Sequence, residues 1–255
     1  MTLQDTAKRI LALIDLTSLN ATDTDSTIVS LCQAAQTPYG HTAAVCVYSP
    51  FIAVAKHTLL AQHTPAVRIA TVTNFPAGQS KLSTVLEETR LAVEAGADEI
   101  DMVIPYSALI EKDTLSAEIL ISAVVRLING HSKLKVILES GVLSPELILL
   151  ASEIAIEHGA DFLKTSTGKV AVNATREAAY IMLKTIARKN PGCGFKAAGG
   201  IRTVAEAQVY LTLAEDILGA EWICPAHFRF GASALLQAVL SSIEDRTNQA
   251  DSVSY

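Results

Sequence analysis

Residues 96–101 read Gly-Ala-Asp-Glu-Ile-Asp, and residues 159–164 read Gly-Ala-Asp-Phe-Leu-Lys. A weaker copy, Gly-Ala-Glu-Trp-Ile, occupies 219–223, so the three glycines are spaced by 63 and 60 residues. Each follows a helical stretch and precedes a β-type run, the pattern of a helix-ending Gly that feeds a strand. One further strand candidate lies between successive copies. The unit therefore repeats about every 30 residues, the size of one strand-plus-helix step.

Eight β-type runs follow from that spacing: Leu13–Thr17, Ala43–Tyr48, Arg68–Thr73, Glu99–Ile104, Leu134–Glu139, Phe162–Thr165, Gly194–Ala197 and Trp222–Phe230. Helical periodicity fills the gaps, as in Thr84–Glu94, Pro145–Glu157, Arg176–Lys189 and Val204–Leu213. Ser144-Pro145 is a helix-start signal, and Asn173 and Thr175 offer caps. Strand–helix alternation eight times over predicts parallel strands with helical crossovers. A single (βα)8 TIM barrel is the preferred closure, with an open doubly wound sheet as its rival. No dinucleotide fingerprint supports the rival. Thr165-Ser166-Thr167-Gly168-Lys169 resembles the end of a P-loop, but Leu163 stands where the first Gly is needed and Val170 replaces the Ser/Thr.

Composition fits this picture. The chain has 255 residues, half hydrophobic and 18% charged, which is enough to bury a large core in one domain. No Pro/Gly/Ser-rich linker divides it. Residues 1–243 are expected to form the barrel and the polar stretch 244–255 a mobile tail. A net charge of −6 argues against a nucleic-acid or anionic-membrane surface. The short apolar run Ile10–Ile14 is neither a signal-peptide core nor a bilayer span. Cys32, Cys46, Cys193 and Cys224 lack disulfide or zinc spacing, and the six histidines lack metal-ligand spacing. Cys46 and Cys224 read as buried apolar thiols rather than reactive ones. A cytoplasmic enzyme without cofactor or metal is expected, and a homodimer is an admissible assembly.

Chemistry in such a barrel sits at the C-terminal ends of the strands. Three charged residues interrupt the hydrophobic strands: Asp101, Lys164 and Lys196. Asp101 and Lys164 both lie five residues after their Gly, on even-numbered strands, and so should share one interior layer. One reading is a buried ion pair that satisfies itself. The other is a nucleophilic lysine, whose amine loses its proton through desolvation and a second ammonium nearby. Two lysines against one acid favour the second. Gly168-Lys169, Gly199-Gly200 and Gly231-Ala232-Ser233 follow three consecutive strands and suit a phosphate cradle. Lys164, Lys169, Lys196 and Arg202 are the candidates to supply its positive charge.

Together these segments resemble the deoxyribose-phosphate aldolase family. The likeness rests on Asp101 in Asp-Met-Val-Ile-Pro-Tyr, Lys164 in Leu-Lys-Thr-Ser-Thr-Gly-Lys and Lys196 in Phe-Lys-Ala-Ala-Gly-Gly-Ile-Arg. It runs from Asp15-Leu-Thr through Thr71–Pro76 and Arg229–Ser233 to Tyr255. The resemblance implies a (βα)8 barrel, and a metal-free lysine Schiff base that cleaves 2-deoxyribose 5-phosphate to acetaldehyde and glyceraldehyde 3-phosphate in deoxyribonucleoside catabolism. It implies Lys164 as the Schiff-base lysine, Asp101 and Lys196 as proton relay, and Tyr255 as an acid on a tail that can fold over the barrel mouth. It places Gly168, Lys169, Gly199, Gly200 and Ser233 at the phosphate, with Thr17 and Asp15 positioning substrate. Ala234 departs from a second Ser common in that branch. Alternatives are a Schiff-base aldolase for another phosphosugar, a non-catalytic phosphosugar-binding barrel, and a pyridoxal enzyme.

Overall fold

The computed structural model describes residues 3–251, with side chains through Glu244. Eight parallel strands close in sequence order: β1 (Ile14–Thr17), β2 (Ala44–Val47), β3 (Arg68–Thr73), β4 (Glu99–Val103), β5 (Lys133–Ile137), β6 (Phe162–Lys164), β7 (Gly194–Ala198) and β8 (Phe228–Ala232). Asp15 on β1 lies opposite Gly231 on one side and Ala44 on the other, which completes the ring. The barrel, not the open sheet, is the fold.

Helices surround it. α1 (Leu3–Leu11) precedes β1, and α2 (Asp25–Ala34), α3 (Ile52–Ala61) and α4 (Leu82–Ala95) follow the first three strands. α5 (Tyr106–Ile110) is a short extra turn before α6 (Leu115–Ile128). α7 (Pro145–Glu157), α8 (Arg176–Lys189), α9 (Val204–Leu218) and α10 (Leu235–Asp251) complete the set. Among the described residues no helix is long and apolar enough to cross a membrane. Local chemistry explains the boundaries. Ser144 caps α7 by accepting the Leu147 N–H, with Pro145 in the first turn. Thr175, rather than Asn173, caps α8. Gly96 and Gly159 end α4 and α7 at φ +99° and +94°, where a side chain would be strained, and a strand begins three residues later.

The third copy behaves differently. Gly219 also has positive φ, but residues Ala220–Trp222 form a 3-10 turn and β8 starts only at Phe228. The expected strand Trp222–Phe230 is thus displaced towards the C-terminus. Pro225 lies in the intervening loop, and Trp222 is held by its indole N–H on the Pro191 carbonyl (2.7 Å) and by stacking on His227. α9 runs five residues past the expected end at Leu213. Residues 244–251, expected in a tail, continue α10. Tyr255 lies outside the described residues.

Strand alternation sorts the core into two compartments. Ile14, Val45, Ile69, Ile100, Val136, Leu163, Phe195 and Phe230 point to the helices and join one apolar shell. Their neighbours in sequence point to the barrel axis. On β2 and β3 the buried ones are apolar, with Cys46, Ala70 and Val72 in a small separate cluster beside Tyr48 and Phe75, while Arg68 at the open end of β3 is exposed. On the other six strands the buried ones include seven charged side chains. All four cysteines are unpaired.

Candidate active site

Register places the charged residues together. Asp101 on β4 is paired with Lys135 on β5, and Lys164 on β6 with Lys196 on β7, which in turn faces Arg229 on β8. The side chains converge on the axis. Lys164 Nζ donates to Asp101 Oδ2 at 2.8 Å, and Lys196 Nζ to the same oxygen at 2.7 Å. Lys135 donates to Asp101 Oδ1 at 2.9 Å. The sequence-based grouping of Asp101, Lys164 and Lys196 is thus a direct contact group. Lys164 is 3% exposed, and the other two are sealed.

Electrostatics then separates the lysines. Burial pushes the Lys164 amine below the ordinary lysine range, Lys196 adds to this, and Asp101 opposes it. Burial acts on Lys196 in the same direction, but Asp101 and Asp15 overcome it and hold its proton above the usual range. Asp101 is likewise held well below the carboxylate range: burial would raise it, but Lys135, Lys164 and Lys196 prevail. One lysine is eased towards its neutral form and the other holds its proton more tightly. Burial raises the Cys46 thiol, which keeps it protonated.

Above Lys164 opens a cleft of about 250 Å³ at the C-terminal mouth. Thr17, Gly168, Lys169, Gly199, Gly200 and Ser233 all line it, together with Arg202 and Ala234. Gly168, Gly199 and Gly200 have φ of +81°, +84° and +85°, so the loops turn back over the mouth in conformations that favour glycine. Gly231 lines the cleft as well and also serves packing, since a Cβ there would meet Lys196 Cε at 2.9 Å. Lys169 Nζ donates to the Leu19 carbonyl at 2.6 Å and so bridges the loops after β6 and β1.

Two expectations change. Asp15 does not line the cleft, because its carboxylate is committed to Lys196 and to Arg229 at 2.6 Å. Lys196 does not line the cleft either, since it is turned inward on Asp15 and Asp101. Lys169 and Arg202, with Lys164 at the floor, are the cations that line the cleft.

Four residues were missed in the sequence. Lys135, Glu99 and Arg229 are buried on the axis, and Lys135 and Arg229 both reach Glu99. Asp101 and Glu99 are two apart on one strand, which was the available signal. Glu139, just after β5, is buried at φ +57° and accepts the Thr167 hydroxyl and its N–H, the latter at 3.2 Å. Thr167 Oγ1 accepts the Lys169 N–H in turn, so Glu139 fixes the Gly168 loop. Among the described residues no three His, Cys, Asp or Glu side chains are grouped to hold a metal.

Comparison with known proteins decides the family. The model of the DeoC/LacD family aldolases matches residues 9–240. The chain belongs to that family. Solved structures agree along nearly the whole length. A provisionally named deoxyribose-phosphate aldolase from Toxoplasma gondii ME49 is 26% identical, with a TM-score of 0.87 over 95% of this chain and 97% of its own. Another, from Coccidioides immitis, is 30% identical, with a TM-score of 0.80 over 92% and 86%. The deoxyribose phosphate aldolase of Aeropyrum pernix is 26% identical, with a TM-score of 0.72 over 97% and 93%.

Proposed function

We propose that this aldolase reversibly cleaves 2-deoxy-D-ribose 5-phosphate to acetaldehyde and D-glyceraldehyde 3-phosphate through a Schiff base on Lys164. The observation that carries the reading is the position of Lys164. It lies at the floor of a cleft whose rim carries Gly168, Lys169, Gly199, Gly200 and Ser233, with its amine eased towards neutrality from below. A substrate with an aldehyde at one end and a phosphate at the other spans that arrangement.

The neutral Lys164 amine attacks the aldehyde carbon of the open-chain sugar, and loss of water gives a protonated imine. Lys196, which keeps its proton, donates to the departing oxygen. Asp101, acting through Lys196 or a water, then takes the proton of the third-carbon hydroxyl. The electrons of the bond between the second and third carbons flow into the imine, which leaves an enamine and frees glyceraldehyde 3-phosphate. Protonation of the enamine carbon and hydrolysis of the imine release acetaldehyde and restore Lys164. Backbone N–H groups of the rim, with Lys169 and Arg202, hold the phosphate; Ala234 leaves that task to Ser233 and the main chain.

Tyr255 belongs to this proposal as the acid for proton exchange at the enamine carbon. Its removal is expected to slow that exchange while Schiff-base formation continues; unchanged exchange in the truncated chain takes it out of the mechanism. The reaction itself is tested with 2-deoxyribose 5-phosphate. Acetaldehyde and glyceraldehyde 3-phosphate are expected in equal amounts, and acetaldehyde is expected as donor in reverse. Cleavage of other phosphosugars with no acetaldehyde formed would point to a different aldolase of the same family.

A further inference from the structure

The contacts below Lys164 close into a cycle. Asp101 receives Lys135 at 2.9 Å, and Lys135 also donates to Glu99. Glu99 Oε1 accepts Arg229 Nη2 at 2.8 Å, and Arg229 Nη1 donates to Asp15 Oδ1 at 2.6 Å. Asp15 Oδ2 and Asp101 Oδ2 then share Lys196. Three carboxylates and three cations alternate around it, so its formal charge is zero. All six are buried, the most exposed being Arg229 at 5%. The Phe162 ring, 5.9 Å from Lys135 Nζ and 5.7 Å from Arg229 Cζ, packs beside the two cations. Lys164 stands outside the cycle and joins it through Asp101 Oδ2.

Charges out of water are costly unless compensated, and here compensation is complete without Lys164. A proton on Lys164 is the one charge the cycle leaves unmatched. We propose that Glu99, Lys135 and Arg229 are positioning residues, and that the neutral cycle they complete sets how readily Lys164 sheds its proton. This rests on Lys164 being the Schiff-base amine. None of the three lines the cleft, so each acts through Asp101, Asp15 and Lys196 rather than on substrate. Lys164 otherwise faces Asp101 from β4, Lys196 from β7, Cys46 from β2 and Glu139 from the end of β5.

The proposal has a sign. Removing a carboxylate leaves a surplus positive charge, so Lys164 loses its proton at lower pH. Removing a cation leaves a surplus negative charge, so Lys164 keeps its proton to higher pH. Removing one of each restores balance. A cycle that served only packing would show damage in one direction, and a double change would compound it.

The test uses the full chain with Glu99→Gln, Lys135→Met and both together. The rate of reductive trapping of acetaldehyde on Lys164 is measured against pH. The midpoint is expected about one pH unit lower in E99Q and about one unit higher in K135M, roughly tenfold in rate on the acid limb. The double variant is expected within about twofold of the unaltered chain, since paired charge removal cancels. Displacements in the same direction, no displacement, or a double variant worse than either single would overturn the proposal. If the single variants fail to fold, a folded double variant supports charge balance and an unfolded one contradicts it. Failure of the unaltered chain to trap acetaldehyde would overturn the proposed function instead. In that event, acetic anhydride labelling of Lys164 against pH reads the same opposite displacements without aldol chemistry.

Discussion

The shell between sheet and helices and the axis of the barrel are built from alternate residues of the same strands, yet they are opposites. Ile100, Val136, Leu163 and Phe195 face the shell, which is apolar. Glu99, Asp101, Lys135, Lys164 and Lys196 flank them in sequence and face the axis. Burial of apolar area holds the shell together, with no regard to charge or pH. A buried ionic network gains little stability over apolar side chains of equal volume. Its presence on the axis is therefore better explained by what it does to Lys164 than by what it adds to the fold.

That contrast can be broken from either side. The largest effect is expected on the axis: Lys164→Ala abolishes adduct formation and lowers turnover by at least ~10³-fold, with little loss of stability. Steady-state kinetics beside urea unfolding measures both; an active K164A protein breaks the assignment. In the shell the pattern inverts. Ile100→Ala is expected to cost about 2–5 kcal/mol of stability, while the pH profile of the remaining activity keeps its position. Acid separates the compartments further. Asp15 and Asp101 ionise below their ordinary value of 3.8, because the surrounding cations outweigh the cost of burial. Their stabilisation is complete above that value and is lost as pH falls from it towards the native one. Urea midpoints should therefore drop below about pH 4, and Asp101→Asn should flatten the drop. The smallest effect belongs to the rim. Lys169→Met is expected to raise KM for the phosphorylated substrate about tenfold and to leave kcat nearly unchanged, as for loss of uniform binding. An equal rise for an unphosphorylated acceptor would remove Lys169 from phosphate binding.

What could be read before the structure followed the same division. The repeat at Gly96 and Gly159 located β4 and β6 and put Asp101 and Lys164 in one layer, because a fixed offset from a helix-ending Gly preserves strand phase. The third copy misled because a 3-10 turn at Ala220–Trp222 keeps the local sequence but delays the strand. Lys135 escaped for a geometric reason. Lys133-Leu-Lys135-Val alternates as a solvated strand does, and the two lysines share a face. Lys133 lies at the open end with its side chain 64% exposed, and Lys135 one step further in is sealed. Alternation distinguishes the two faces of a strand but does not say whether the polar face meets water or a barrel axis. Glu99 was hidden beside Asp101 for the same reason. Long-range closure, which pairs Arg229 with Asp15 across the seam, has no local signal at all.

The central claim is that Lys164 becomes covalently bonded to the substrate carbonyl. It is tested most directly by incubating the protein with acetaldehyde, reducing with borohydride and mapping the modified peptide. A single reduced adduct on Lys164 is expected, absent from Lys164→Ala. No adduct, or one carried by Lys169, Lys196 or a surface lysine with Lys164 untouched, would contradict it.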